Sequence, residues 1–231
     1  MFALSPEEIS AVVLSLKVAF WAVAVSLPAG IAVAWLLARR EFPGKAALDA
    51  LIHVPLVVPP VVVGYLLLLL FGRKGLVGGW LYDTLGVTVA FSWQGAAIAA
   101  AVMAFPLMVR AIRLSMEAID PRLEQAARTL GATPRDVFFS VTLPLTGSGI
   151  VVGVILAFAR ALGEFGATIT FVSAIPGETT TLPLALYGLT QIPGQEAAAL
   201  RLVVLSVVIA FAAMLLSEIV ARRVRRRISG A

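Results

Sequence analysis

Five long runs of apolar residues dominate the sequence and determine the predicted fold. The runs are residues 18–38, 54–71, 84–109, 148–172 and 202–221. Each comes close to or exceeds the roughly 20 apolar residues that a helix needs to cross the hydrocarbon core of a bilayer. The pattern therefore predicts an all-α integral membrane protein with five transmembrane helices. A further run, residues 182–192, is too short to cross, so we expect a short helix there that lies outside the membrane or dips part-way into it.

The composition agrees with this fold class and excludes several functions. Of the 231 residues, 60% are apolar and 13% are charged, and the mean hydropathy is +0.99. Soluble domains carry about 25% charged residues, so a soluble enzyme is excluded. The chain has no cysteine and one histidine, and we therefore expect neither a metal site nor a catalytic residue. Residues 1–231 are expected to form one transmembrane domain.

Lysine and arginine residues predict the orientation, because the cytoplasmic loops of membrane proteins carry an excess of them. With the N-terminus outside, thirteen of the eighteen lie on the cytoplasmic side and four lie outside, while Arg160 is within the membrane. We therefore predict an external N-terminus and a cytoplasmic C-terminus. Glu7 and Glu8 stand where a signal peptide would carry basic residues, so the first run is expected to remain as a span. The basic residues at 222–227 are expected to contact lipid headgroups rather than nucleic acid.

Residues 110–147, between the third and fourth runs, form an unusually long helix connection that this orientation places in the cytoplasm. Asp120 is a typical N-cap for a first short helix, and Gly131 is placed to end it. Thr133 starts a capping box, so a second helix is expected there and should end before Pro144. The segment is therefore predicted to be two short helices around a glycine joint.

Ala126 and Ala127 give the first of these helices a flat surface. Small side chains would let the groove of a partner protein approach closely. An amphipathic helix on the bilayer surface has a similar pattern, and the spacing alone does not distinguish the two.

The same segment resembles the EAA motif found in permease subunits of binding-protein-dependent ABC importers with the type I fold. That motif consists of Glu-Ala-Ala, three residues, Gly, nine residues, Ile, one residue and Leu-Pro. The corresponding positions here are Glu124, Gln125, Ala126, Ala127, Gly131, Val141, Leu143 and Pro144. Gln125 replaces the glutamate, with Glu124 one place earlier, and Val141 replaces the isoleucine. The resemblance implies that these residues couple the permease to an ATPase, and it leaves open whether Glu124 or Gln125 makes the polar contact.

Other runs resemble the molybdate permease branch of that family. They are residues 42–45, 56–65, 163–171 and 175–179. The resemblance implies a homodimer in the bacterial inner membrane, two cytoplasmic ABC ATPase subunits and an external binding protein that delivers molybdate. A permease for tungstate or for sulfate or thiosulfate is the alternative within the family. The sequence has no phosphate-binding P-loop, so ATP and Mg are expected to bind to the partner ATPase and no cofactor to this chain.

Six residues within the predicted spans are candidates for the translocation path or its gate. They are Pro59, Pro60, Arg160, Glu164, Thr168 and Thr170. The prolines should bend or unwind the second span, either beside the path or as a static kink. Arg160 and Glu164 are four residues apart, so they either line the path or form an intrahelical ion pair. The two threonines either offer hydroxyl donors to an oxyanion or pack against neighbouring helices.

Two functions of other classes compete with the permease. An intramembrane enzyme would need paired carboxylates, a Ser–His pair or metal ligands, whereas the charged residues within the spans are Arg160, Glu164 and Glu218, and the two glutamates lie on different spans. A secondary transporter or channel would leave the long cytoplasmic segment without a purpose, and the five spans show no internal repeat. Dependence on ATP distinguishes these classes.

Overall fold

The computed structural model describes residues 4–228, with side chains up to Leu215 and at Ile219, so the side chains of the basic run 222–227 lie outside the described part. Every regular element in this range is helical. The helices are α1 (Pro6–Arg39), α2 (Lys45–Val57), α3 (Pro60–Phe71), α4 (Leu76–Leu85), α5 (Trp93–Glu117), α6 (Pro121–Thr129), α7 (Pro134–Val137), α8 (Leu143–Leu145), α9 (Gly147–Leu162), α10 (Gly166–Val172), α11 (Leu182–Thr190) and α12 (Glu196–Ile228). A π-helical segment, Phe138–Thr142, connects α7 to α8.

The core forms where α1, α5 and α9 pack against one another. Several alanines on α1 and α5 are completely buried there: Ala19, Ala34, Ala96, Ala99 and Ala100. Small side chains let helix backbones approach closely, which is how helices commonly pack in lipid. A Cβ at Gly149 would clash with the side chain of Ser115, so α9 and α5 approach each other closely at this glycine.

Within the part of the chain that the structure describes, three helices are long and apolar enough to cross a membrane by themselves: Pro6–Arg39, Trp93–Glu117 and the Glu196–Leu215 part of α12. Two helix pairs meet the same condition only together, Lys45–Val57 with Pro60–Phe71 and Pro134–Leu145 with Gly147–Leu162. The count reaches the predicted five if each bent pair is one span. The short helix predicted within residues 182–192 is confirmed as α11.

The second and fourth apolar runs are not continuous helices. Within residues 54–71 the chain bends by 113° between α2 and α3, which confirms the predicted bend at the prolines. The twelve residues of α3 extend for roughly 18 Å, well short of a bilayer core. Within residues 148–172 the helix stops at Leu162 and restarts at Gly166, and this break was not predicted. Hydropathy reports how long an apolar stretch is, but not whether its backbone is continuous.

The helix in the third apolar run does not share the bounds of that run, residues 84–109. The helix starts at Trp93, because the Ser92 side chain caps it by accepting a hydrogen bond from the Gly95 N–H at 3.2 Å. It continues to Glu117, so residues 110–117 belong to α5 and not to the connection that follows. Charged residues mark where a helix leaves the apolar layer, which is not where the helix itself ends.

The second helix of the connection does not end before Pro144 as predicted. The π-helical turn widens the helix before the proline, and the Leu143 N–H bonds to the Phe138 carbonyl five residues back. A wider turn accommodates a residue that has no N–H, so α8 passes through Pro144. The chain then bends by 65° into α9.

Candidate functional site

The predicted helix caps are present in the α5–α9 connection, which we define as residues 118–146. Asp120 accepts a hydrogen bond from the Arg122 N–H at 2.9 Å and starts α6. Gly131 ends that helix with φ of +89°, a conformation that favours glycine. Thr133 and Asp136 make both hydrogen bonds of a capping box at the start of α7. These caps give the connection a defined shape.

Glu124 is buried at the centre of this connection rather than exposed to a partner. One of its carboxylate oxygens, Oε1, accepts hydrogen bonds from Arg39 Nε at 2.9 Å and from Thr142 Oγ1 at 2.8 Å. The Glu124 side chain is 10% exposed and that of Arg39 is 16% exposed. A charge-assisted bond in such surroundings is stronger than one on the surface. Glu124 therefore fastens α6 to the end of α1 and to the π-helical segment.

Aromatic contacts also join α1 to the π-helical segment. The ring of Trp35 on α1 meets that of Phe138 edge to face, with centroids 5.9 Å apart, and Phe138 meets Phe139 at 5.0 Å. Aromatic pairs of this geometry stabilise a contact beyond the apolar area they bury. The end of α1 is therefore held to the connection by an ion pair and by an aromatic pair.

The other side of α6 faces outward. Gln125 and Ala126 are exposed, and Leu123 and Leu130 are 49% and 88% exposed. Exposed apolar side chains beside small ones are typical of a protein contact surface. Because Glu124 is engaged internally, Gln125 is the motif residue whose polar group is available to a partner.

The remaining motif residues lie around this surface. Ala127 is half-buried on α6, and Val141 and Leu143 are half-buried where the π-helical segment meets α8. Pro144 is exposed. The structure thus places all eight motif positions in one connection. Glu124 is buried and holds the connection to the rest of the subunit, whereas Gln125, Ala126 and Pro144 are exposed on its surface.

The two helix breaks touch each other. A Cβ at Gly166, the first residue of α10, would lie 2.8 Å from the Cβ of Pro60, the first residue of α3. Further along α3, a Cβ at Gly64 would lie 2.5 Å from the Ala167 carbonyl oxygen. Such distances leave no room for a side chain, so the two short helices pack through their backbones. Pro59 precedes this contact as the N-cap of α3.

Arg160 and Glu164 form an ion pair that crosses the end of α9. Arg160 Nη1 lies 2.6 Å from Glu164 Oε2, and the glutamate side chain is 2% exposed. The other carboxylate oxygen accepts a hydrogen bond from the Ala167 N–H at 2.8 Å. Of the two alternatives for these residues the ion pair is present, but it does not lie within one helix, because α9 ends at Leu162. Glu164 instead bridges the break, holding the last turn of α9 to the first turn of α10.

Neither threonine presents its hydroxyl group openly. Thr168 is buried at 1% exposure. The Thr170 hydroxyl donates to the Gly166 carbonyl at 2.9 Å, a bond within its own helix. This arrangement favours the packing interpretation over a role in binding an anion.

Arg39, Thr142, Trp35 and Phe138 were missed as site residues. Arg39 and Glu124 are separated by 85 positions in the chain, and no local pattern marks such a pair. The side chains described here include no group of three or more His, Cys, Asp or Glu residues that could hold a metal ion.

A membrane bundle with broken helices and an exposed helical connection has the architecture of a permease subunit. The chain belongs to the family described as binding-protein-dependent transport system inner membrane component, which matches residues 26–226. It is therefore a multi-pass inner membrane component of a transport system. This membership confirms the family inferred from the EAA motif.

The chain is similar to curated permease proteins of molybdenum and sulfate transport systems. The molybdenum transport system permease protein ModB of Escherichia coli is 62% identical over 224 residues, covering 97% of this chain and 98% of that protein. The protein of the same name from Haemophilus influenzae is 54% identical over 221 residues, 96% of each chain. The sulfate transport system permease protein CysW of Synechocystis is 38% identical over 175 residues, 76% of this chain and 63% of that one.

Solved structures of ABC transporters share the fold. A chain of a bacterial transporter involved in alginate import superposes with a TM-score of 0.75 at 18% identity, covering 95% of this chain and 80% of that one. A chain of the methionine transporter MetNI superposes with a TM-score of 0.70 at 16% identity, covering 94% of each. At these identities the similarity establishes the permease fold alone.

Proposed function

We propose that the chain is the permease subunit of an ATP-driven importer of molybdate. The observation that carries the proposal is the internal role of Glu124, which ties an outward-facing EAA helix directly to α1. A surface of this kind transmits the movement of a partner to a membrane-spanning helix. Two relatives, at 62% and 54% identity, are named molybdenum transport system permease proteins, which supports the choice of substrate.

The proposed assembly contains two copies of this chain, two cytoplasmic ABC ATPase subunits and an external molybdate-binding protein, all surrounded by membrane lipid. The N-terminus is outside and the C-terminus is in the cytoplasm, which places α6 on the cytoplasmic side. ATP and Mg bind to the ATPase subunits. No nucleic acid takes part.

The proposed mechanism is alternating access. When ATP closes the ATPase subunits, they displace α6, and the displacement passes through Glu124 and Arg39 to α1. The paired breaks at Pro60 and Gly166 offer a place where the bundle changes shape, because helix ends rotate more easily than helix interiors. The path then opens towards the loaded binding protein, and hydrolysis returns it to the inward-facing state.

The polar groups around the helix breaks offer little affinity for an anion, and this is consistent with transport. Arg160 is neutralised by Glu164, and the hydroxyl group of Thr170 is occupied within its own helix. A tight site would slow release, so the affinity for substrate is assigned to the binding protein. The six candidate path residues are proposed to shape the gate rather than to hold the anion.

The test is ATP hydrolysis by the reconstituted complex, with its ATPase and binding protein, during titrations of molybdate, tungstate and sulfate. Stimulation by molybdate but not sulfate supports the proposal. Stimulation by sulfate alone would reassign the substrate and leave the coupling role of the EAA helix intact. Transport that continues without the ATPase and collapses with the ion gradient would show a secondary transporter instead.

A variant tests the coupling surface separately from the substrate. Ala127→Trp adds a bulky ring to the half-buried edge of α6. We expect the subunit to remain in the membrane while substrate-stimulated hydrolysis is abolished. Unchanged stimulation in this variant would remove the coupling role from α6.

A further inference from the structure

An open groove lies between α5 and α9, away from both helix breaks. Its volume is about 490 Å³, and its walls are largely apolar. The apolar wall includes Leu107, Leu114, Val152 and Leu156. From Leu107 to Ser115 the groove follows α5 for about 12 Å, the length of eight residues at 1.5 Å per residue. A groove of this shape accommodates one extended hydrocarbon chain.

Polar side chains without partners line the groove from Arg110, near the middle of its α5 wall, to Ser115 and Ser148 at one end. Among the side chains that the structure describes, none of these three has a hydrogen bond or an ion pair. Arg113, one turn further along α5, is by contrast held by Asp49 at 3.0 Å and by Glu117 at 2.7 Å. The cation of Arg110 is therefore exposed and uncompensated beside an apolar channel.

The position of Arg110 along the chain fixes the depth of this end. Arg110 directly follows the apolar run 84–109, and Ser148 is the second residue of α9. In the proposed orientation the polar end lies at the level of the cytoplasmic headgroups, and Leu107 and Leu156 lie deeper in the hydrocarbon. Basic side chains at this level attract anionic lipids, by roughly a factor of five per charge.

We propose that the groove binds one anionic phospholipid. An acyl chain lies along the apolar wall, the phosphate group faces the Arg110 guanidinium group, and the hydroxyl groups of Ser115 and Ser148 donate hydrogen bonds to phosphate oxygens. The depth at which Arg110 lies in the membrane rests on the proposed orientation. The position of a free cation beside an apolar groove is independent of that orientation. A second copy of the chain would cover Arg110 with protein and would have to supply an acidic partner for it.

The absence of cysteine from the chain permits a direct test. A single cysteine at Val152, inside the groove, carries a bimane fluorophore in the assembled complex. The complex is reconstituted in phosphatidylcholine vesicles that contain a minor fraction of either brominated phosphatidylglycerol or brominated phosphatidylcholine. Val207→Cys is the matched control, because this α12 residue is 62% exposed on an apolar surface. Bromine on the acyl chain quenches a fluorophore only at short range.

At position 152 we expect brominated phosphatidylglycerol to quench with roughly fivefold higher apparent affinity than brominated phosphatidylcholine. At position 207 we expect no preference. The substitution Arg110→Gln should abolish the preference at 152, whereas Arg113→Gln should leave it unchanged.

Three results would overturn the proposal. Equal quenching by both lipids at position 152 would mean ordinary boundary lipid. No quenching at 152 while 207 is quenched would mean that protein covers the groove, as in contact with a second copy. A preference that survives Arg110→Gln would remove the arginine from the site. Substrate-stimulated ATP hydrolysis, measured in the same vesicles, shows independently whether the transporter itself works.

Discussion

The substitution Glu124→Gln separates the internal role of Glu124 from the contact surface of α6. It keeps the size of the side chain and removes the charge that receives hydrogen bonds from Arg39 at 2.9 Å and Thr142 at 2.8 Å. Hydrogen bonds to a charged group contribute about 1.5–3 kcal/mol, and those between neutral groups about 0.5–1.5 kcal/mol. The loss is therefore about 2 kcal/mol, which shifts the equilibrium between docked and detached α6 by roughly thirtyfold.

Two measurements on the assembled complex report this shift. Amide hydrogen exchange in α6 should accelerate by roughly thirtyfold, because exchange follows the population of the detached state. Substrate-stimulated ATP hydrolysis should fall while basal hydrolysis remains, since Gln125 and Ala126 still face the ATPase. The matched control is Glu117→Gln, which removes the same charge from a side chain that is 40% exposed and paired with Arg113. An exposed pair contributes about 1 kcal/mol or less, so the control should change exchange in α6 very little.

One outcome would refute the reasoning. If Glu124→Gln leaves exchange in α6 unchanged and instead abolishes binding of the ATPase subunit, then Glu124 contacts the ATPase directly. The internal network around Arg39 would then be a feature of the isolated subunit and not of the working complex.

Three further predictions concern backbone geometry and the ion pair. Gly131→Ala places a Cβ at φ of +89° and should lower stability by about 1 kcal/mol, measured as a lower melting temperature of the purified subunit. Gly64→Ala should lower the stability of the subunit by about 1–3 kcal/mol and reduce transport into vesicles, because its Cβ would lie 2.5 Å from the Ala167 carbonyl oxygen. Gly188→Ala is the control and should be neutral, because its Cβ meets nothing within 4 Å. Glu164→Gln weakens the bridge across the break in α9 and α10, so we expect basal ATP hydrolysis to rise relative to the substrate-stimulated rate; an unchanged ratio would show that the bridge is not part of the gate.

The sequence predicted those features that depend on neighbouring residues. The caps at Asp120 and Thr133 and the turn at Gly131 follow from local hydrogen bonds and backbone sterics, and all three are present. The bend at the prolines after Val57 has the same local cause, since a proline lacks an N–H group.

Features that depend on distant residues were not predictable in the same way. The burial of Glu124 requires Arg39, which the fold brings across from another helix. The break after Leu162 is marked in the sequence by Gly163 and Gly166, and glycine is common in membrane helices that are not broken. The bounds of α5 were missed because the Ser92 cap and the exit from the bilayer are separate events along the chain.

The contact between the two helix breaks has a consequence for how this sequence can vary. A Cβ at position 166 would meet the Cβ of residue 60, and a Cβ at position 64 would meet the backbone of residue 167, so neither glycine can be replaced without a change at its neighbour. A relative with a larger residue at 166 should carry a smaller one at 60, and a side chain at 64 should accompany a displaced backbone at 167. Substitutions at these four sites should therefore be inherited as pairs, and an alignment of relatives would display them as correlated columns although they lie a hundred positions apart.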